Sequence, residues 1–174
     1  MEHETLYDAY VDELKDLYSA ENQILKALPR MTKAASHRQL QRGFARHERQ
    51  TRQHVKRLDR ILRDLGEKAT GKKCVGMEGV LKEGTDLIKE HRNDKEMLDA
   101  GLIAAAQHVE HYEMAGYGTV RTWSRLLGYE DHAELLQQTL DEERETDETL
   151  TALAESSINV DAAEPDEDEE EYEE

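Results

Sequence analysis

Residues 107–118 read QHVEHYEMAGYG, and the fold turns on how this stretch is phased. Val109, Glu113 and Gly116 fall at steps of four and three. The same step runs back through Leu98, Leu102 and Ala105 and on through Val120, Trp123 and Leu127. Recurrence at three and four residues marks one face of a helix turned toward a core. The stretch is therefore the middle of a long helix, opened by a capping signal at Asn93 with Glu96 and closed by Gly128. Glu113 interrupts the apolar face half-way along. Glu110, three residues earlier, shares that face, while His108 and His111 point elsewhere.

Three more segments carry the same periodicity. Leu6, Tyr10, Leu14, Leu17, Glu21, Ile24 and Leu28 make a first helix, which Pro29 either kinks or ends. Ser36 and Gln39 form a capping box for a second. Its seam reads Leu40, Phe44, His47, Thr51, Val55 or His54, Leu58, Leu62 and Leu65, with a stop at Gly66. A last helix, capped by Asp131 with Glu134, puts Leu136, Leu140, Glu143, Asp147, Leu150 and Leu153 on one face. Between the second and third long helices, the glycines at 71, 76, 79 and 84 predict loops around a short helix over residues 77–90. Short connections make antiparallel hairpins, and one long link lets the second hairpin cross over. The expected fold is all-α: a ferritin-like four-helix bundle with a long crossover connection containing a short extra helix.

With 174 residues the chain is long enough for one domain with a substantial core. Its single cysteine, Cys74, excludes an internal disulfide and a cysteine-built zinc site, as expected in a reducing cytoplasm. The opening MEHETLYDAYVDEL lacks the apolar stretch of a secretory signal. No run approaches the roughly eighteen apolar residues that span a bilayer. A cytoplasmic protein without membrane contact is expected. The net charge of −17 is unevenly spread. Residues 161–174, DAAEPDEDEEEYEE, hold ten acidic side chains and no basic one, which leaves −7 for the rest. Such a segment buries too little apolar surface to offset the entropy of ordering it. The expected organisation is a bundle over residues 1–158 and a disordered acidic tail over 159–174. That tail reads as a solubility or salt-adaptation appendage, with partner binding as the alternative. The charge disfavours nucleic acid as a partner.

Each long helix breaks its apolar seam near the middle with a side chain able to bind a metal: Glu21, His47, Glu113 and Glu143. A charge at a core position costs several kcal/mol unless it is paired or bound to a cation. Carboxylates bridge hard divalent cations, and an imidazole adds a nitrogen of intermediate softness. Glu110 and Asp147, the latter four residues after Glu143, complete the candidate metal ligands. Tyr18 and Tyr112 are placed to hydrogen-bond the carboxylates, and His54 lines up with His47 and Thr51. Taken singly, His47 reads as a satisfied core histidine and Glu21 as a salt bridge at the seam's edge. His3, His37, His91 and His132 read as surface residues.

YSAENQILKALP in the first helix, KKCVGMEG in the connection, LIAAAQHVEHYEMAGYGT in the third long helix and TLDEERETDETLTALA in the last resemble the YciE/YciF group of ferritin-like stress proteins. The resemblance spans residues 5–154. It implies a ferritin-like bundle, a homodimer and a part in bacterial stress responses. Through the group's kinship with rubrerythrin-type di-iron proteins, it also implies a carboxylate metal site. It supports Glu21, Glu110, Glu113 and Glu143, with His47, as ligands of two divalent ions per chain: iron, with manganese as the alternative. Oxygen or peroxide would be the small-molecule substrate. One departure stands out. The di-iron pattern uses Glu-x-x-His on two helices, yet Glu48 is followed by Thr51 and Glu143 by Thr146. Any site here is poorer in imidazole than a ferritin's. Cys74 reads as a packed thiol under the crossover.

The leading expectation is thus a di-metal carboxylate protein acting in stress response, in protection against oxidative stress. A metal-free structural or interaction dimer, its polar layer fixing register, is the alternative. A histidine phosphotransfer bundle is a further one, and needs a solvent-facing histidine on the second helix near Arg46 and Arg49. Cage-type iron storage is disfavoured, since nothing in the sequence points to assembly beyond a dimer.

Overall fold

A computed structural model of the chain describes residues 5–164. The regular structure among these residues is helical. Its elements are α1 (Leu6–Ala34), α2 (Arg38–Asp64), α3 (Val75–Glu90), α4 (Lys95–Leu126), α5 (Glu130–Leu153), a π-helical turn (Ala154–Ile158) and α6 (Asn159–Ala163). Consecutive helices α1 and α2 pack as one hairpin and α4 and α5 as another. The hairpins meet through α1 against α4 and α2 against α5, while α3 lies on α4 and touches α1. None of these helices is long and apolar enough to cross a membrane.

Helix α1 begins with a capping box between Thr5 and Asp8 and does not stop at Pro29. The helix continues to Ala34, carrying the proline inside it. Three predicted caps are corrected. The amide and hydroxyl of Ser36 are bonded to Asp99 of α4 at 2.8 and 2.6 Å, and α2 starts after His37 without a side-chain cap of its own. Asp99 also accepts from the His37 amide at 2.7 Å. A carboxylate from the other hairpin therefore satisfies the exposed amides at the head of α2. Helix α4 is capped by Asp94, one residue after the predicted Asn93. Helix α5 begins after Tyr129 with no side-chain cap, not at Asp131. The stops at Gly66 and Gly128 stand, at φ of 72° and 84°, a conformation that side chains disfavour.

The buried apolar side chains form two lobes. One joins Ile24, Leu28, Leu40, Phe44, Leu102, Val109 and Leu150 with Met77 of α3 and Ile158 of the π turn. The other joins Tyr10, Leu14, Leu17, Leu58, Ile61, Tyr117, Val120, Leu136 and Leu140. Each lobe draws on all four long helices, so the hairpins are joined twice. Gly116 brings α4 close to α1: a Cβ there would lie 2.8 Å from Leu17 Cδ2. The helical path does not end at Ile158, where the tail was expected to begin, because Asn159–Ala163 forms α6. The remainder of the expected tail, residues 165–174, lies outside the described residues.

Candidate metal centre

Between the two lobes lies a polar layer. Helix α1 contributes Glu21, α2 contributes His47 and His54, α4 contributes Glu110 and Glu113, and α5 contributes Glu143. All six are buried. Their convergence follows from helix geometry: spacings of three and seven residues return a side chain to nearly the same face. His47, Glu110, Glu113 and Glu143 each offer an atom within 4.8 Å of the others, and so do Glu21, His54 and Glu143. Glu143 belongs to both groups.

His47 Nε2 is 3.1 Å from Glu110 and 3.9 Å from Glu143. His54 Nδ1 lies 3.2 Å from Glu21 and 2.9 Å from Glu143, but neither contact has the alignment of a hydrogen bond. On its far side, His54 Nε2 meets Glu142 at 2.7 Å. Arg57 grips Glu142 through two nitrogens, at 2.7 and 3.0 Å. The Tyr117 hydroxyl donates to Glu21. His47 Nδ1 has only Thr146, at 3.4 Å.

The charges of this layer cannot all be balanced from within. Burial, then the charges of Glu143, Glu113 and Glu21, pushes Glu110 well above the usual carboxylate range. Burial and the charges of Glu21 and Glu143 do the same to Glu113. Burial also acts on Glu143, but the charge of His54 beside it outweighs burial and holds that carboxyl low. For His54, burial opposes protonation, yet Glu21 and Glu143 carry it well above its ordinary value. Desolvation lowers His47. An imidazolium at His54 thus supplies positive charge that a bound cation would supply instead.

Ten buried side-chain atoms among the described residues lack a hydrogen-bond partner, and eight of them are here. They are Glu21 Oε2, His47 Nε2, His54 Nδ1, Glu110 Oε2 and both oxygens of Glu113 and Glu143. Buried polar atoms are rarely left unpaired. Oxygens with two imidazole nitrogens form a donor set suited to divalent first-row metals, so the residues present fit a metal ion. An apolar cavity of about 50 Å³ ends on the His47 and Glu110 side of the layer. Ile24, Leu28, Phe44 and Leu150 are among its walls, with the exposed Arg46–Glu145 pair at its edge.

Five of the six predicted ligands are brought together. Asp147 is not: it is 19% exposed in its side chain, accepts from Gln107 at 3.1 Å and sits 3.3 Å from the exposed His111. The predicted tyrosines also fall elsewhere. Tyr112 bonds Cys74 at 3.1 Å and Asp16 at 3.4 Å, and Tyr18 packs against an apolar lobe. Tyr117 takes the expected role on Glu21, and a signal for it existed, because it follows Glu113 by four residues. His54, lined up with His47 in the sequence but not among the predicted ligands, is a full member of the layer. The phosphotransfer reading fails because both His47 and His54 are buried. His132, read as a surface residue, is 6% exposed, stacked on Tyr129 and 3.3 Å from the Tyr10 hydroxyl. Cys74 is buried as expected, and its sulfur accepts from the Met77 amide at the start of α3.

Comparison with known proteins places this arrangement. Residues 5–163 match the domain of unknown function DUF892. Protein YciF of Escherichia coli is 41% identical over 160 residues, covering 91% of this chain and 96% of that protein. The crystal structure of that stress protein superposes with a TM-score of 0.85, over 90% of this chain and 99% of the other. YcfI from Rhodopseudomonas palustris follows at 39% identity and a TM-score of 0.82, covering 85% and 94%. A Xanthomonas campestris protein shares the fold at 20% identity and a TM-score of 0.71, over 89% and 94%. On the match over residues 5–163 and the near full-length likeness to YciF, the chain belongs to the YciE/YciF family, DUF892.

Proposed function

We propose that the chain is a ferritin-like di-metal carboxylate protein acting in stress response. In this reading its four long helices are the bundle and α3 rides in the crossover between the hairpins. The observation that carries the proposal is the set of eight unpartnered polar atoms in one buried layer, split into two groups that share Glu143. A shared carboxylate suits a bridge between two cations, iron or alternatively manganese. His47, Glu110 and Glu113 would hold one, Glu21 and His54 the other.

Such a pair, when bound, supplies electrons for reducing oxygen or peroxide, the chemistry of oxidative-stress protection. The chain's residues prepare the site for it. Tyr117 fixes one oxygen of Glu21 and leaves the other free. Glu142, held by Arg57, orients the His54 ring so that Nδ1 faces the layer; an Nε2–H directed at a carboxylate is the usual support of a metal-binding imidazole. The two apolar lobes keep water from the carboxylates and strengthen every charge interaction between them. A part in stress response is supported by the relationship to YciF, described as a stress protein.

The test is metal content together with melting. Protein stripped by chelator and reloaded with Fe²⁺ or Mn²⁺ should bind about two ions per chain, as in di-metal carboxylate bundles, and melt at a higher temperature by mass action. Glu143→Ala, which removes the shared ligand, should abolish both effects. Fewer than about one ion per chain at saturating metal, or equal binding by the variant, would reject the site.

A further inference from the structure

Helix α2 is charged unlike the rest of the molecule. It carries nine basic side chains against three acidic ones in a chain of net charge −17. The basic residues are not scattered around it. Arg38, Arg42, Arg49, Lys56, Arg60 and Arg63 are all exposed and recur at multiples of three, four and seven residues, with Arg52 beside them. That spacing puts them on one face, opposite the seam of Leu40, Phe44, His47 and Leu58. Arg52, Arg60 and Arg63 have acidic neighbours along the helix. Among the described residues, Arg38, Arg42, Arg49 and Lys56 have no carboxylate in salt-bridge contact. Like charges repeated along one helix repel one another, so the stripe costs stability unless something anionic lies along it.

The chain supplies a candidate. Helices α2 and α5 run antiparallel, with Arg46 against Glu145 and Arg57 against Glu142. The end of the described chain therefore lies at the head of α2. Ile158 and Asp161 share a surface hollow with Ser36 and His37, immediately before Arg38. From there residues 164–174, EPDEDEEEYEE, continue with nine acidic side chains and no basic one. Eleven residues reach at most about 36–40 Å, and the rise from Arg38 to Lys56 is about 27 Å. The segment begins near the head of α2, on its α4 side, is long enough to reach and follow the basic face, and has the opposite charge.

We infer that the outer face of α2 is the docking surface for this chain's own acidic C-terminal segment. The segment masks a basic stripe that would otherwise attract other polyanions. Because the attraction is between exposed charges, it is screened by salt: the Debye length falls from about 10 Å at 0.1 M to about 3 Å at 1 M. This role does not depend on metal in the polar layer.

The experiment uses the full chain carrying Glu170→Cys, labelled with a nitroxide; Cys74 is buried, so the label goes to the new site. At low salt, NMR signals of Arg42, Arg49 and Arg52 should lose intensity, and they should recover in 1 M salt. They should also stay intact when Arg42→Glu and Arg49→Glu are added, two exposed substitutions whose fold is checked by circular dichroism. In a second arm, the acidic residues of 166–174 are replaced by their amides and a short DNA duplex is titrated at low salt. The variant should bind it and the wild-type chain should not. Absent broadening, broadening on another surface, or broadening only in signals of a second, unlabelled copy would overturn the proposal. So would duplex binding by wild type equal to that of the variant, which would mark the face as open to nucleic acid.

Discussion

At the Glu21–His54 end of the polar layer, each group facing the centre is held from behind. Tyr117 fastens Glu21, and Glu142 in the grip of Arg57 fastens His54. At the His47–Glu110 end, the imidazole has one long contact to Thr146 at 3.4 Å, and an apolar cavity adjoins it. The first half is preorganised and enclosed, whereas the second is free to adjust and lies where a small molecule can approach. In the proposed site, the difference would separate a half that retains a cation from a half able to change its coordination. In metal sites the outer partners set affinity as much as the ligands do.

The strongest test of this asymmetry is Glu142→Gln. It should weaken one of the two bound ions by about 10–100-fold and leave the other in place, read by titration of the stripped protein. Equal weakening of both would show that the halves are not separable. Tyr117→Phe should have a smaller effect on the same ion, at most about tenfold. Thr146→Val, on the loosely held side, should change neither affinity beyond about twofold, given how poor a 3.4 Å contact is. If the threonine variant proves the more damaging, the assignment of retaining and adjustable halves is reversed.

The smallest expected effect is on pH dependence. Glu110 and Glu113 are raised in the folded metal-free protein. Stability from a raised group is full below its unfolded pKa, about 4.3 for glutamate, and is lost as pH rises through the folded pKa. The metal-free protein should therefore melt lower as pH rises, and Glu113→Gln should flatten part of that slope. The loaded protein should show the opposite sign, because bound cations keep the carboxylates ionised and acid displaces them. A slope of the same sign in both forms would contradict cation binding at Glu113.

Much of this layer was legible because burial on long helices is periodic. Glu21, His47, Glu110, Glu113 and Glu143 interrupt apolar seams, and an interruption shows against a regular background. The errors have physical causes. Asp147 follows Glu143 by four residues, one helical turn further along α5, where Gln107 and His111 of α4 take up its carboxylate beyond the layer. Choosing His54 over Val55 required knowing which way α2 rolls against α5, a tertiary fact. The head of α2 could not be read locally, since its cap comes from Asp99, distant in sequence. Tyr117 was overlooked although its spacing from Glu113 announced it.

The two apolar lobes have a kinetic consequence. The enclosed half of the layer lies between them, and each lobe ties all four long helices together. With both side chains fully buried, the backbone around Glu21 and His54 opens only when one lobe parts, an event as costly as separating the two hairpins at that end. Hydrogen exchange at the backbone amides around these residues should then follow the slowest openings of the molecule, approaching those of global unfolding. Anything lodged there would leave more slowly than from the His47–Glu110 end, which adjoins the cavity.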